Sequence, residues 1–386
     1  MQRLRSVLFW CHLTAGVTAG LVILVMSATG VVLAGQSTVL TFIERGVRRA
    51  SPSSTGSRVP LGVVLASVRA AQEAPPATVT VQRDPASAVA VSLGRDGTIY
   101  VNPYTGAILG RGSPRAQAFF RSVEDWHRWL GQAGDWRGSA RAITGASNLV
   151  FLLLVLSGPF LWLPRKWTAA SVRRVLWFRT GAAGRARDFN WHNVIGIWCA
   201  PVLIVLTLTG VVMSYPWANA LLYRLAGSPL PAAGERAGGS RPAAAAIPVD
   251  VDRVVVAAVD RVPTWETLIV RLPMRSGAPA SVSISDGASW NRFARSQLTL
   301  DATTAAVIRW EPYDATSLGQ RMRGWVRFAH TGELGGPLGQ AVAGVASAGG
   351  TMLVWTGLAL AIRRLIGWRI WNRATVDAAV RRVPIR

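Results

Sequence analysis

Four long apolar stretches constrain the fold of this 386-residue chain more than any other feature. They lie at residues 7–34, 142–163, 194–214 and 338–362. A helix needs about 20 apolar residues to cross the hydrocarbon core of a bilayer, and each stretch is long enough. A helix also satisfies its own backbone hydrogen bonds, which lipid cannot do. The sequence therefore predicts an α-helical membrane protein with four transmembrane helices.

Basic residues beside these stretches predict the orientation, because arginine and lysine are retained on the cytoplasmic side. They precede the first stretch, fill the connection at 164–190 and follow the last stretch. Both termini and the 164–190 loop are therefore expected to be cytoplasmic, with the connections at 35–139 and 215–337 on the outer side. The net charge of +23 is explained by this bias, so membrane lipid is the expected partner and nucleic acid is not.

The chain contains an internal duplication. Residues 12–33 align without gaps to residues 192–213, which places His12 opposite His192. Pairs of small residues also align, namely Thr29-Gly30 with Thr209-Gly210 and, at a second offset, Ser157-Gly158 with Thr356-Gly357. The sequence predicts two copies of one unit, each with a helix, an outer domain, an interfacial histidine segment and a second helix. A parallel duplication of this kind places a pseudo-two-fold axis along the membrane normal.

The two outer connections are predicted to form small α+β domains. Residues 60–72 and 251–259 have helical spacing of their apolar residues. Alternating apolar residues predict strands at 77–82, 88–93 and 98–101 in the first domain, and near 266–272, 280–285, 296–301 and 306–310 in the second.

The predicted organisation contains ten segments. They are transmembrane helix 1 (1–34), the first outer domain (35–118), an interfacial helix with His127 (119–139), transmembrane helix 2 (140–163), the cytoplasmic basic loop (164–190), transmembrane helix 3 (191–214), the second outer domain (215–320), an interfacial segment with His330 (321–337), transmembrane helix 4 (338–362) and the cytoplasmic tail (363–386).

Four histidines occur in the sequence, and each lies at the end of an apolar stretch. His12 and His192 are expected near the cytoplasmic face, whereas His127 and His330 precede the second and fourth stretches near the outer face. Two imidazoles on facing helices are what a six-coordinate haem iron needs. The pattern predicts two b-type haems, one held by His12 and His192 and one by His127 and His330. The simpler alternative is four interfacial histidines that hydrogen-bond to backbone or lipid headgroups.

Glycines follow three of the histidines at a spacing of four residues. Gly16, Gly196 and Gly131 are predicted to lie one helical turn from His12, His192 and His127. A missing side chain on the same helix face leaves room for a flat porphyrin. No Cys-x-x-Cys-His motif occurs, so covalent haem attachment is not expected.

These motifs together resemble the PepSY-associated transmembrane helix family over nearly the whole chain. The resemblance is carried by FWCHLTAGVTAG, YVNPYTGAILG, DWHRWLG, FNWHNVIGIW with LTLTGVVM, and FAHTGELGG. It implies PepSY-like domains in the periplasm of a bacterial inner membrane. For members similar to the ferric-siderophore reductases, it also implies two membrane haems, with the four histidines of this chain at the family's histidine positions. Residues 301–305 depart from the pattern of the first copy.

The expected activity is one-electron transfer from a separate cytoplasmic reductase or a quinol to a periplasmic ferric siderophore. A separate donor is implied because no Gly-rich dinucleotide fingerprint follows a strand in this sequence. A cleft near the outer haem is predicted to bind the anionic chelate. The candidate substrate residues are Arg292, Arg309, Trp310, Tyr313 and Arg323.

Three alternatives use the same sequence differently. The PepSY-like domains could restrain a periplasmic protease, with the helices as a membrane anchor and no redox activity. A transporter is disfavoured because none of the four stretches contains a carboxylate. The histidines could bind a lone metal ion, although no acidic or thiolate cluster in the sequence completes such a site.

Overall fold

The computed structural model describes residues 2–52, 56–162, 164, 167–231, 250–273, 278–287, 291 and 293–380. The chain forms two compact units. The helical unit contains residues 1–36, 120–221 and 326–386, and the sheet unit contains residues 37–119 and 222–325. The helices are α1 (Gln2–Ala34), α2 (Gln36–Ile43), α3 (Leu61–Ala71), α4 (Pro114–Trp129), α5 (Trp136–Trp162), α6 (Ala169–Leu176), α7 (Gly184–Ser214), α8 (Pro216–Leu225), α9 (Val251–Arg261), α10 (Leu318–His330) and α11 (Gly336–Val380).

Four helices of the described residues, α1, α5, α7 and α11, are long and apolar enough to cross a membrane. They contain the described residues of the four apolar stretches, as predicted. Their main contacts run from α1 to α5, from α5 to α7, from α7 to α11 and from α11 to α1. Small residues let these helices approach closely, since a Cβ at Gly349 of α11 would collide with Cys199 of α7.

Two shorter helices, α4 and α10, carry His127 and His330 ahead of α5 and α11. The chain leaves α4 after Trp129, because Leu130 and Gly131 both have positive φ angles, of 51° and 74°. Gly131 was predicted to lie one helical turn beyond His127 on the same helix face. That placement is wrong, because Gly131 lies beyond the end of the helix and its α-carbon faces the Trp126 ring.

The sheet unit contains one eight-stranded antiparallel sheet of order β4-β3-β2-β1-β5-β6-β7-β8. Its strands are β1 (Thr78–Gln82), β2 (Val89–Ser92), β3 (Thr98–Val101), β4 (Ile108–Arg111), β5 (Trp265–Arg271), β6 (Ala280–Asp286), β7 (Ser296–Leu300) and β8 (Val307–Glu311). All seven strands predicted from the sequence are present, and β4 is added.

The two outer segments do not form separate sheets. Strand β1 of the first segment pairs with β5 of the second, with Thr78 opposite Arg271 and Gln82 opposite Thr267. Each strand would otherwise be an exposed sheet edge, which is a site for unwanted pairing. The two predicted α+β segments therefore share one continuous sheet.

The core of this unit lies on one face of the sheet. Buried apolar residues alternate along the strands, as Val79 and Val81 do in β1 and Leu298 and Leu300 do in β7. Helix α9 packs against β5 and β6, and α3 packs against α9. The period of two in the strands and the helical spacing in α3 and α9 thus place one apolar face from each element into a common core.

The turn after β3 and the turn after β7 have the same hydrogen bonds despite their different sequences. Asn102 Oδ1 accepts from the backbone N–H of Tyr104, and Asp301 Oδ1 accepts from that of Thr303. Ala305, with a φ of 56°, replaces Gly106, with a φ of 70°. The turn at 301–305 therefore keeps its conformation although its sequence departs from the first copy, at the cost of a left-handed alanine.

Glu44 is a buried carboxylate at the end of α2, with only 4% of its surface exposed. Its Oε1 accepts hydrogen bonds from the Ser113 backbone and the Gln117 amide, both at 3.0 Å. Its Oε2 accepts from Arg48 at 2.8 Å and from the Tyr100 hydroxyl at 2.9 Å. Burial alone would raise the pKa of Glu44, but the hydrogen bonds from Gln117, Arg48 and Tyr100 outweigh it and lower the pKa below its ordinary value.

We expect Glu44→Gln to lower the melting temperature of the full chain at neutral pH. Buried donors left without an acceptor cost about 1–3 kcal/mol. Because the folded-state pKa lies below the ordinary value of 4.5, the carboxylate stabilises the fold above that pH. This contribution is lost as the pH falls through the folded-state pKa. Circular dichroism melts of both proteins in detergent should show a difference in melting temperature at pH 7 that shrinks below pH 4.5. A difference that does not depend on pH would refute the stabilising role of the Glu44 carboxylate.

Candidate functional site

His12 of α1 and His192 of α7 line one cavity of about 490 Å³ within the helical unit. All four long helices contribute to its walls, which are mostly apolar. Gly16 and Gly196 also line the cavity, as the sequence predicted for the space beside each histidine. A Cβ on Gly16 would meet nothing within 4 Å, so this side of the cavity is open beside the helix. The structure thus brings together the first predicted histidine pair.

His127 of α4 and His330 of α10 also face each other in the helical unit. Their ring centroids are 6.3 Å apart, and the ring planes meet at 60°. Metal–nitrogen bonds to imidazole are about 2 Å long, so two imidazoles on opposite sides of one metal ion have centroids roughly 6 Å apart. The second predicted histidine pair therefore has a separation suited to axial ligation of one iron.

Each histidine uses Nδ1 to contact a hydroxyl on a neighbouring helix. In the first pair, His12 contacts Ser157 Oγ of α5 at 2.8 Å, and His192 contacts Thr356 Oγ1 of α11 at 3.0 Å. In each case Nε2 is the ring nitrogen that remains for a metal.

The second pair repeats this arrangement. His127 Nδ1 contacts Thr29 Oγ1 of α1 at 2.9 Å, and His330 Nδ1 contacts Thr209 Oγ1 of α7 at 3.1 Å. His330 Nδ1 also lies 2.9 Å from the carbonyl oxygen of Leu206. All four imidazoles are thus oriented through the nitrogen that would not bind the metal.

Glycines lie beside three of the four rings. A Cβ on Gly357 would lie 3.3 Å from Cε1 of His192. A Cβ on Gly158 would lie 3.8 Å from Cε1 of His12, and a Cβ on Gly30 would lie 3.6 Å from Cε1 of His127. Each glycine directly follows the hydroxyl residue that contacts the same ring. The fourth case differs, because a Cβ on Gly210 would lie 2.8 Å from the Asn148 amide nitrogen instead. The glycines that pack on the rings are therefore on the partner helices, whereas the sequence prediction considered those on the histidine helices.

The cavity of the first pair suits a haem in a further respect. A b-type haem has a flat apolar body and two carboxylates at one edge. Trp162 lines the cavity, and its indole Nε1 is buried without a hydrogen-bond partner. Arg185 and Arg364 also line the cavity. An apolar chamber that contains a paired set of imidazoles, two arginines and a free N–H donor can hold this group.

A different metal site is not indicated in the described part of the chain. There, no three residues among histidine, cysteine, aspartate and glutamate come together. Paired imidazoles without a third protein ligand fit an iron whose other ligands come from a macrocycle.

The predicted substrate residues that can be described lie in the sheet unit. Arg309 forms an ion pair with Glu311 at 2.8 Å. Trp310 packs against the sheet core, and the Tyr313 hydroxyl accepts a hydrogen bond from Asn291 at 2.9 Å. These contacts give the side chains structural roles, so substrate binding stays a prediction. Arg323 is half-buried, and Arg292 lies outside the described residues.

The four residues whose hydroxyls contact the histidines are called the hydroxyl residues: Ser157, Thr356, Thr29 and Thr209. They were not recognised from the sequence as part of the site. Their signal was present, because all four precede a glycine and the Thr-Gly and Ser-Gly pairs align between the two halves of the chain. In addition, a threonine follows the histidine by 17 residues in both α1 and α7. Sequence alone does not show that each hydroxyl meets a histidine from another helix.

The sequence was compared with known proteins. The family model described as the PepSY-associated TM region matches residues 9–364, a range that includes all four histidines and all four hydroxyl residues. No curated protein gives a significant match to the chain.

Proposed function

Because this chain belongs to the PepSY-associated TM region family, we propose that it is a di-haem b electron-transfer protein of the bacterial inner membrane. It would pass electrons from a cytoplasmic reductase or quinol to a periplasmic acceptor, a ferric siderophore. In this proposal both termini are cytoplasmic and the segments of the sheet unit are periplasmic. The chain would act as a haem-dependent ferric-chelate reductase.

The observation that carries the proposal is the presence of two histidine pairs at two depths. Along α1, His12 and Thr29, the hydroxyl partner of His127, are 17 residues apart. At the rise of an α-helix this corresponds to about 25 Å, most of the thickness of a bilayer core. Two sites placed in this way would bridge the membrane from one side towards the other.

The residues of each site would perform three tasks. The imidazole pairs would hold iron through Nε2, and bound haem would supply a one-electron couple. Arg185, Arg364 and the Trp162 N–H would bind the carboxylates at the first site. The apolar walls would exclude water from the macrocycle.

The net reaction would move one electron from the donor to the chelated ferric ion and give ferrous ion and free chelator. Movement of an electron out of a negative interior is favoured by about 2.3 kcal/mol per 100 mV. Hard oxygen chelators hold ferrous ion far less well than ferric ion, so reduction would release the iron. If the protein were only a membrane anchor for domains that restrain a protease, the two histidine pairs would have no role.

An anaerobic stopped-flow experiment tests the proposed reaction. Protein reduced with stoichiometric dithionite is mixed with a hydroxamate chelate of iron(III) and a ferrous-specific dye. We expect the reduced α-bands to bleach while one ferrous ion appears per electron lost. The gallium(III) form of the chelate, which has the same charge and is redox-inert, should leave the bands unchanged. Bands that persist with the iron chelate would overturn the reductase proposal.

A further inference from the structure

We propose that Ser157, Thr356, Thr29 and Thr209 are positioning residues that fix the tautomer of the four histidines and set the reduction potentials of the two haems. This inference rests on the proposed function. It assigns one function to four residues that lie one on each of the four long helices α1, α5, α7 and α11.

Each hydroxyl residue also has a carbonyl oxygen of its own helix within hydrogen-bond distance. Thr29 Oγ1 lies 2.6 Å from the Val25 carbonyl oxygen, and Thr209 Oγ1 lies 2.6 Å from that of Val205. The corresponding distances are 2.7 Å from Thr356 to Met352 and 3.2 Å from Ser157 to Leu154. A hydroxyl has one proton, so when it donates that proton to the carbonyl of its own helix, its oxygen faces the histidine as an acceptor.

In this arrangement the imidazole is the donor in each contact. Its Nδ1 carries the proton, and Nε2 of the neutral ring has the lone pair that a metal requires. His330 shows this independently, because its Nδ1 also lies 2.9 Å from the Leu206 carbonyl oxygen, which can only accept. The network thus selects one tautomer for the ring before any ligand binds.

The same contact affects the electronic properties of the bound iron. An acceptor on Nδ1–H gives the imidazole more anionic character and makes Nε2 a stronger donor to the metal. A stronger donor favours the ferric state over the ferrous state, so each hydroxyl should lower the potential of the haem that its histidine ligates. Removal of the acceptor should raise that potential.

The glycines after three of the hydroxyl residues support this interpretation. In Thr356-Gly357, Ser157-Gly158 and Thr29-Gly30, the first residue contacts Nδ1 and the second lies beside the ring edge. One two-residue element therefore orients a ring that comes from a different helix. A helix surface that only packed against the ring would not need a hydroxyl at this position.

The test is a spectroelectrochemical titration of Thr29→Val, which is nearly isosteric and lacks the hydroxyl that contacts His127. Thr18→Val is the matched control, because Thr18 is in the same helix and its hydroxyl bonds to the Thr14 carbonyl at 3.0 Å. We expect Thr29→Val to retain two haems and to raise the midpoint of one. The expected shift is about tenfold in the ferric-to-ferrous equilibrium, which is 59 mV for a one-electron couple. Thr29→Ser, which keeps the hydroxyl, should restore the original value.

A second pair of variants tests the other haem. Thr356→Val should raise the midpoint that Thr29→Val leaves unchanged, because its ring partner is His192. Thr351→Val is the control, since its hydroxyl bonds to the Ser347 carbonyl of the same helix. Variants that keep two haems with midpoints equal to their controls would overturn this inference and leave the proposed function standing. A parent protein without haem would overturn both.

Discussion

Replacement of His12 by alanine is expected to remove one of two haems and to leave the other in place. The variant loses one of the two imidazoles that line the 490 Å³ cavity, so the iron there lacks a pair of axial ligands. The haem content should fall from about two per chain to about one. A pyridine haemochrome assay on the purified variant, normalised to protein, measures this directly.

Double variants test the pairing. His12→Ala with His192→Ala affects a single cavity, so this protein should keep one haem, as the single variant does. His12→Ala with His127→Ala affects both sites and should leave none. Full haem content in His12→Ala would contradict the assignment of this histidine as a ligand. Loss of both haems in the His12 and His192 double variant would contradict the pairing.

Gly357→Val is expected to empty the site of His192 without changing any ligand. A Cβ at Gly357 would already lie 3.3 Å from Cε1 of the ring, and the two valine methyl groups extend further. The imidazole must then leave the Thr356 hydroxyl, and the haem content should fall to about one per chain. Overpacking of this kind usually costs about 1–3 kcal/mol, and one hydrogen bond such as that between His192 and Thr356 contributes about 0.5–1.5 kcal/mol.

Gly367→Val is the matched control for this experiment. Gly367 is in the same helix, and a Cβ there would meet nothing within 4 Å. This variant should keep two haems and elute from a sizing column as the parent protein does. Equal haem content in both glycine variants would show that the ring of His192 has no need of the space above Gly357.

The regular elements were predictable from the sequence because their signals are local. The apolar stretches became α1, α5, α7 and α11, and the alternating residues in strands such as 78–82 and 296–300 bury one face as expected. The shared sheet was not predictable. It depends on the pairing of β1 with β5, which are separated by more than 180 residues and carry no register signal that sequence reasoning can detect.

The candidate site was predicted in part. The histidine pairs could be expected because repeated positions on parallel helices come to equal depth. The hydroxyl residues could not, because an intrahelical hydrogen bond to Val25 or Val205 is the ordinary role of a threonine in a membrane helix. Their second contact depends on helix packing. Gly131 shows the opposite error, in which a correct spacing was assigned to a helix that ends two residues earlier.

The most direct test of the account is the haem content of the protein itself. The full chain should be expressed with haem supply, purified in detergent, and examined by oxidised and dithionite-reduced spectra together with the pyridine haemochrome assay. Sharp reduced α-bands and about two b-type haems per chain are expected. A colourless protein that is folded and monodisperse would contradict it and would favour the protease-restraining membrane anchor.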